Sequence, residues 1–288
     1  MISVENKLHN ARRRVQFERH IFLRRLKGEK PIINLYSKDE IKQEPSRAHA
    51  KIIPFVIGTN APTAIICPGG AYQFISYNNE GAEYAKALNK RGYNAFMLSY
   101  RVGYNARFPF PMEDLARAIC FVKYNAKEYN INADTLYLFG SSAGGHLAAC
   151  FSAKYKDFPN EYCGESYNLK PTGLVLSYPV ITMGDYTHEL SRTLLLGLHS
   201  TEKKRNATSV ELIADSDFPP TFFWHCEGDE TVPIKNSEML DERLNEVGVR
   251  HWFSRYPHGG HGIGLGVGTV AEGWLNDAVQ FLKSIDFE

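Results

Sequence analysis

One junction, between Leu136 and Phe151, constrains this chain more than any other stretch. The sequence there reads LYLFGSSAGGHLAACF, so a run of β-forming residues passes directly into a run of helix-forming residues. Two adjacent serines and three glycines separate the two runs, which is more than a structural turn requires. A strand that ends in a tight turn and continues as a helix is typical of α/β proteins with a parallel sheet.

The alternation of strand and helix patterns continues along most of the chain. Short β-branched or aromatic runs predict strands at Ile32–Tyr36, Lys51–Ile57, Ala64–Cys67, Asn94–Tyr100, Thr135–Phe139, Gly173–Ser177, Thr221–Cys226 and Arg250–Tyr256. Helical patterns lie between them, at Glu80–Arg91, Met112–Tyr129, Ala143–Tyr155, Lys235–Val247 and Val270–Lys283. Together they predict an α/β domain with a mostly parallel eight-stranded sheet covered by helices on both faces. No helix is predicted between the first two strands, so we expect that edge of the sheet to be antiparallel.

Two segments differ from this pattern. Residues 1–30 carry Arg12–Arg14 and Arg24–Arg25 among apolar side chains, which predicts a basic helical arm before the main domain at 31–288. We expect the arm to pack on that domain or on a neighbouring subunit; a membrane surface or an anionic partner is the alternative. Residues 183–217, between the sixth and seventh predicted strands, are helical and of mixed polarity, which predicts a small cap insertion.

The composition argues against several classes of function. The chain has 288 residues with 33 Lys and Arg against 32 Asp and Glu, and this net charge of +1 favours no nucleic-acid partner. The five cysteines form no CxxC pair, so we expect reduced thiols and no metal site. The N-terminus lacks the apolar core of a secretory signal and no stretch is long enough for a membrane span, which predicts a cytoplasmic protein. The oligomeric state stays open, a homo-oligomer included.

The junction fits G-x-S-x-G, a motif that places a serine on a sharp turn between a strand and a helix. Ser142 is its central serine and is expected to adopt a strained positive φ, which lifts the hydroxyl clear of the sheet. Side chains two residues away on either side would then collide, which explains Gly140 and Gly144. Gly145 is expected to let the helix approach its neighbours closely. Ser141 precedes the turn, and we expect it to form a local hydrogen bond rather than to act as the nucleophile.

A serine hydroxyl is a weak nucleophile, so the motif calls for a base and for a carboxylate that orients the base. In this fold both follow the serine along the chain, the acid first and the histidine second. Asp229, in a tight loop after the seventh predicted strand, is the predicted acid in preference to Glu227 and Glu230; its alternative role is to cap the next helix. After the eighth strand the chain offers His258 and His261, and the glycine-flanked His261 is the predicted base.

A tetrahedral intermediate of acyl transfer also needs backbone N–H donors for its oxyanion. The residue after the nucleophile, Ala143, supplies one donor. The loop after the third predicted strand reads PGGAY, and its glycines leave backbone amides accessible, so Gly70 and Ala71 are the other predicted donors. Tyr72, the next residue, is predicted to bind substrate. His146, one turn into the helix that follows Ser142, is expected to have a structural role.

These motifs together resemble small bacterial α/β-hydrolase esterases of the acetylesterase or acetylxylan-esterase type. The likeness covers roughly residues 50–288 and rests on PGGAY at 68–72, LSYRV at 98–102, GSSAGGH at 140–146, GDETVP at 228–233 and GGHG at 259–262. The resemblance implies the α/β-hydrolase fold, a Ser142–Asp229–His261 triad and no cofactor. Many members of the group have a third glycine where this chain has Ala71, whose methyl group narrows the pocket slightly.

The implied activity is hydrolysis of short-chain acyl esters, acetyl esters above all, through an acyl-enzyme on Ser142. The resemblance suggests acetylated xylo-oligosaccharides as substrates, with other acetylated sugars or small esters as alternatives. We expect Tyr72, the methyl group of Ala71 and Leu194–Leu196 to crowd the acyl pocket against longer chains.

Two rival functions remain. A prolyl-oligopeptidase-like serine peptidase carries a β-propeller, for which the roughly fifty residues before the hydrolase core leave no room. A non-catalytic binding protein of the same fold would usually lack a member of the triad, whereas this chain has a candidate for each.

Overall fold

The computed structural model describes residues 32–285, so the predicted basic arm lies outside the described residues. Its main feature is a sheet of eight strands in the order β1–β2–β4–β3–β5–β8–β9–β10. These strands are β1 (Ile33–Asn34), β2 (Lys51–Phe55), β3 (Pro62–Cys67), β4 (Asn94–Ser99), β5 (Asn132–Ser141), β8 (Gly173–Ser177), β9 (Thr221–Cys226) and β10 (His251–Tyr256). All pairs from β4 to β10 are parallel, and β2 pairs antiparallel with both β1 and β4. The predicted mostly parallel, eight-stranded sheet with an antiparallel edge is confirmed.

The helices of the described residues alternate with the strands. They are α1 (Lys38–Gln43), α2 (Glu83–Asn89), α3 (Phe110–Tyr124), α4 (Ala126–Tyr129), α5 (Ser142–Ala153), α6 (Glu189–Leu196), α7 (Glu202–Asn206), α8 (Val210–Ile213), α9 (Lys235–Glu246) and α10 (Trp274–Ile285). The single helix predicted at Met112–Tyr129 is divided into α3 and α4. A short antiparallel hairpin, β6 (Glu161–Tyr162) with β7 (Glu165–Ser166), was not predicted.

The prediction of no helix between the first two strands is wrong, because α1 and a 3₁₀ turn at Pro45–His49 lie there. The reason is a capping box at the start of α1. The Ser37 hydroxyl accepts a hydrogen bond from the N–H of Glu40, and the Glu40 carboxylate accepts one from the N–H of Ser37. These two hydrogen bonds satisfy backbone donors that a six-residue helix would otherwise leave free.

Side chains from both faces of the sheet form the core, since alternate residues of a strand point to opposite faces. On β5, Leu138 belongs to one apolar layer, which contains side chains of α3, α5 and α9. Its neighbours Tyr137 and Phe139 belong to the other layer, with side chains of α2 and α10. Helices therefore cover both faces, which leaves the carboxyl ends of the parallel strands as the edge where a site can form.

The predicted cap segment, residues 183–217, contains α6, α7 and α8. Backbone and side-chain hydrogen bonds join it to the loop after β4. The Arg107 guanidinium donates to the carbonyl oxygens of Thr193 and Leu194 at 2.5 and 2.7 Å, and the Phe108 N–H donates to the Leu195 carbonyl at 2.9 Å. The segment is thus helical as predicted and is held against the strand ends.

Candidate active site

Ser142 is the first residue of α5 and lies directly after the carboxyl end of β5. Its φ is +52°, the strained conformation expected for the central serine of the motif. A side chain at Gly140 would collide with the backbone of Gly144, and one at Gly144 would collide with the Cys67 carbonyl on the neighbouring strand β3. A side chain at Gly145 would collide with Pro179. The three glycines therefore permit a turn that no larger residue would allow.

The structure brings together the three residues predicted as a triad, although they are far apart in the chain. The Nε2 atom of His261 lies 2.7 Å from the Ser142 hydroxyl oxygen, and its Nδ1 atom lies 2.7 Å from Oδ2 of Asp229. Because the carboxylate accepts the hydrogen bond, Nδ1 carries the proton and Nε2 is free to accept the proton of the serine. This arrangement is that of a nucleophile, a base and an orienting acid.

Asp229 is buried and surrounded by hydrogen-bond donors. Its Oδ1 atom accepts from the N–H groups of Thr231 and Val232, each at 2.9 Å. Burial of the carboxyl group acts to raise its pKa, but hydrogen bonds from His225 and His261 outweigh that effect and hold the pKa of Asp229 well below its ordinary value. The acid therefore stays ionised and ready to stabilise a positive charge on His261.

His225 is a site residue that the sequence analysis missed. Its Nε2 atom lies 2.9 Å from the Val232 carbonyl oxygen and 3.2 Å from Oδ2 of Asp229, so Nε2 must carry a proton. Its Nδ1 atom lies 2.8 Å from the Ser237 hydroxyl, which donates to it. The only sequence signal was a histidine inside the apolar strand β9, four residues before Asp229.

The rejected candidates lie elsewhere. The side chains of His258, Glu227 and Glu230 are exposed, whereas Asp229 is buried. The prediction of a local hydrogen bond for Ser141 is wrong, because its hydroxyl lies 3.4 Å from the hydroxyl of Tyr84, 57 residues away in the sequence. Ser141 still points into the core rather than toward His261.

The loop after β3, residues 68–72, lies against Ser142 and is called the oxyanion loop below. A side chain at Gly69 would come within 3.0 Å of the Ser142 Cβ atom. Gly70, Ala71 and Tyr72 all have positive φ, at +127°, +58° and +55°. Within residues 32–285, the backbone N–H groups of Gly70, Ala71 and Ala143 have no hydrogen-bond acceptor. The three predicted donors are thus available to an oxyanion.

The prediction that Tyr72 binds substrate is corrected by its burial. Its side chain is fully buried, and its hydroxyl donates to Nδ1 of His146 at 2.8 Å. Leu195 and Leu196 of the cap segment are also buried in the apolar core, so they do not line an open acyl pocket. The positive φ of Tyr72 directs its ring into the core, where it stabilises the oxyanion loop.

His146 has the structural role that was predicted for it. Its Nε2 atom donates to the Thr208 carbonyl of the cap segment at 2.8 Å, and its Nδ1 atom accepts from Tyr72. Burial lowers the pKa of His146 to about 4, so its ring is neutral at neutral pH. This one ring joins α5, the oxyanion loop and the cap segment.

Comparison with known proteins agrees with the fold. The family model BD-FAE matches residues 52–244. The chain belongs to the BD-FAE family. The BD-FAE chain described here is 35% identical to an endo-1,4-beta-xylanase B of Butyrivibrio fibrisolvens over 73% of its own length and 34% of that protein's. It is 28% identical to an acetylxylan esterase of Xylanibacter ruminicola over 82% of its own length and 48% of that protein's.

A solved structure extends the comparison to the whole domain. The crystal structure of an acetyl ester-xyloside bifunctional hydrolase from Caldicellulosiruptor lactoaceticus is 31% identical, with a TM-score of 0.83 over 90% of this chain and 97% of that one. By contrast, this BD-FAE chain spans only about a third to a half of the length of the two curated relatives above. The comparison with the solved structure agrees with the α/β-hydrolase fold of this chain.

The described residues lack two further features, a metal-binding cluster and a membrane-spanning helix. Between residues 32 and 285, no group of three His, Cys, Asp or Glu side chains is arranged to hold a metal ion. None of the helices in that range combines the length and apolar character needed to cross a membrane.

Proposed function

We propose that this BD-FAE chain is a serine carboxylesterase that hydrolyses short-chain acyl esters, chiefly acetyl esters of sugars. The observation that carries the proposal is the position of the His261 ring, 2.7 Å from both the Ser142 hydroxyl and the Asp229 carboxylate. Ser142 adopts the strained turn that such a nucleophile needs, with unpaired amides beside it. No other cluster in the described residues combines these features.

The reaction follows from these groups in two steps. The Ser142 oxygen attacks the ester carbonyl while Nε2 of His261 takes the hydroxyl proton, and Asp229 stabilises the imidazolium. The N–H groups of Gly70, Ala71 and Ala143 stabilise the oxyanion. The alcohol leaves with the proton from His261, and the acyl group stays on Ser142. Water then attacks the acyl-enzyme with His261 as base, which releases the acid and restores the serine.

The class of substrate is inferred from two sources. The acetylxylan esterase and the acetyl ester-xyloside hydrolase named above support acetyl groups on xylose-containing sugars. Ala71 adds a methyl group to the oxyanion loop, where the resemblance implies a glycine in many members of the group, and it favours a small acyl group. Because Tyr72, Leu195 and Leu196 are buried, they no longer support that preference, which now rests on the relatives and on Ala71.

A substrate panel tests the proposal. Purified wild-type protein and the Ser142→Ala variant would be assayed with p-nitrophenyl esters of two, four and eight carbons and with acetylated xylo-oligosaccharides. We expect kcat/KM to be highest for the acetyl ester and to fall about tenfold to a hundredfold for the longer chains, because crowding of extra methylenes against the Ala71 methyl group would cost about 1–3 kcal/mol. Acetate release from the oligosaccharides should require Ser142.

Three outcomes would contradict the proposal. A rate that holds or rises to eight carbons would mark a lipase-like enzyme rather than a short-chain esterase. Cleavage of a proline-containing amide faster than any ester would favour the serine peptidase. A protein that binds acetylated sugar but releases no acetate would be a binding protein of the same fold.

A further inference from the structure

Glu80 is a buried carboxylate that the proposed reaction does not use. It lies in a π-helical turn, Asn78–Ala82, just before α2, and its side chain is only 4% exposed. No lysine or arginine forms an ion pair with it in the part of the chain that the structure describes. A buried charge without a cationic partner is costly, and such a group needs strong compensating interactions.

Both oxygens of Glu80 accept hydrogen bonds. Oε2 accepts from the N–H of Gly69 at 3.0 Å, and Oε1 accepts from the hydroxyl of Tyr178 at 2.8 Å. The Tyr178 oxygen in turn accepts from the N–H of Gly264 at 3.0 Å, which directs the hydroxyl proton toward Glu80. The Ser76 side chain also hydrogen-bonds to Glu80. Donors on both carboxylate oxygens are the partners of an ionised group, since a protonated carboxyl would present its own hydrogen to one of them.

These hydrogen bonds lead to the two loops that carry the proposed chemistry. Gly69 belongs to the oxyanion loop and lies against Ser142. Gly264 lies three residues after His261, in the loop that presents the base. The ring of Tyr178 also contacts the ring of His261 edge-on, with centroids 4.8 Å apart and planes at 61°. One carboxylate therefore connects the oxyanion loop with the histidine loop through a single tyrosine.

Among the groups near Glu80, His261 is the one whose charge changes during the proposed reaction. Burial raises the pKa of Glu80 above its ordinary value, although the hydrogen bond from Tyr178 and the charge of a protonated His261 oppose that rise. The titratable groups near His261 also include Asp229, which binds its Nδ1, His225, which binds Asp229, and Tyr178, whose ring contacts that of His261. His188 of the cap segment is another, and its pKa is lowered by burial and by the charge of His261. Glu80 and Asp229 are buried and the side chain of His261 is only 16% exposed, so their charges interact more strongly than exposed charges would.

We propose that Glu80 is a positioning residue that holds the oxyanion loop and the histidine loop in register, and that its negative charge stabilises the imidazolium formed on His261. Asp229 then supplies the direct hydrogen bond to the base, and Glu80 acts on it through Tyr178 and through space. This inference rests on the proposed function, because it assigns a role within the same reaction.

The test separates charge from shape. Glu80→Gln removes the charge and keeps the length, whereas Glu80→Asp keeps the charge but is one methylene too short to reach both partners. Glu83→Gln is the matched control, because it makes the same change at an exposed residue one turn further along. The measurement is the pH dependence of kcat/KM for p-nitrophenyl acetate, with active enzyme counted by fluorophosphonate titration and folding checked by thermal unfolding.

We expect Glu80→Gln to lower kcat about tenfold and to move the acid limb of the profile to lower pH by about 0.5–1 unit, because a nearby anion favours the protonated base. Glu80→Asp should lower kcat without moving the acid limb, and Glu83→Gln should do neither.

If Glu80→Gln does not fold, Tyr178→Phe replaces it, since it breaks the link to Gly264 and keeps the charge of Glu80. That variant should lower kcat about fivefold with the acid limb in place.

Three results would overturn the inference. The first is an acid limb for folded Glu80→Gln that coincides with that of the wild-type protein. The second is an equal shift in Glu80→Gln and Glu80→Asp, which would exclude the charge as the cause. The third is a Tyr178→Phe variant with wild-type kcat. All three require an active wild-type enzyme, so they differ from failure of the proposed function, in which wild-type protein would not hydrolyse the ester or Ser142→Ala would still do so.

Discussion

The imidazole of His261 is the residue on which the proposed chemistry depends. It bridges Ser142 and Asp229 with two hydrogen bonds of 2.7 Å, and the edge of the Tyr178 ring limits its rotation. His258, three residues earlier, is exposed. The two histidines share a glycine-rich loop. The sequence around them therefore distinguishes their roles less clearly than the distances in the structure do.

Substitution of each histidine tests this distinction. We expect His261→Ala to lower kcat by about 10⁴-fold or more, since the serine then has no base, and His258→Ala to keep most of the activity. Steady-state hydrolysis of p-nitrophenyl acetate by the two purified variants is the measurement. The opposite ranking would place the base at His258 and would require a different loop conformation.

At the scale of elements, short-range rules predicted well. The positive φ of Ser142 and the need for Gly140 followed from sterics within five residues, and the structure agrees. The need for a glycine at Gly144 was also predicted, but its cause is the Cys67 carbonyl on the neighbouring strand β3. Because β5, β8, β9 and β10 are neighbours in a parallel sheet, the loops after their carboxyl ends bring Asp229 and His261 to Ser142. Helix ends were less predictable, because they depend on caps and turns such as the π-helical turn before α2.

Residues whose partners are distant in the sequence could not be found in this way. Glu80 and Tyr178 are 98 residues apart, and neither stands in a motif. Tyr72 was assigned to the substrate because it follows the predicted donors Gly70 and Ala71 in the chain, but its ring packs against His146, 74 residues away. Adjacency in sequence predicted the backbone of that loop correctly and the direction of one side chain wrongly.

At the scale of the whole molecule, buried polar side chains connect the elements that surround the site. His146 is one of them: its neutral ring holds together α5, the oxyanion loop and the cap segment. Because its pKa falls to about 4 in the folded protein, the unfolded chain binds a proton at His146 more readily. This residue therefore favours unfolding as the pH falls below about 6.5.

The pH dependence of stability tests that link. Between pH 7 and pH 5, His146 should lower the free energy of unfolding of the wild-type protein by about 2 kcal/mol. His146→Gln, which cannot be protonated, should be less stable at pH 7 but should lose less stability over the same range. Urea unfolding at both pH values measures the free energy of unfolding. His258→Gln is the exposed control and should show the same change between the two pH values as the wild-type protein. If the free energy of unfolding falls equally between pH 7 and pH 5 in the wild-type protein and in His146→Gln, a buried neutral histidine is excluded.

The central claim is that Ser142 is the nucleophile of an acyl-transfer site, and covalent labelling tests it most directly. The protein would be treated with a fluorophosphonate, digested, and mapped by mass spectrometry, alongside the Ser141→Ala and Ser142→Ala variants. We predict one adduct per chain on Ser142 in the wild-type protein and in Ser141→Ala, no adduct in Ser142→Ala, and a loss of ester hydrolysis in step with labelling. An adduct on Ser141, or undiminished hydrolysis by the Ser142→Ala variant, would contradict the account.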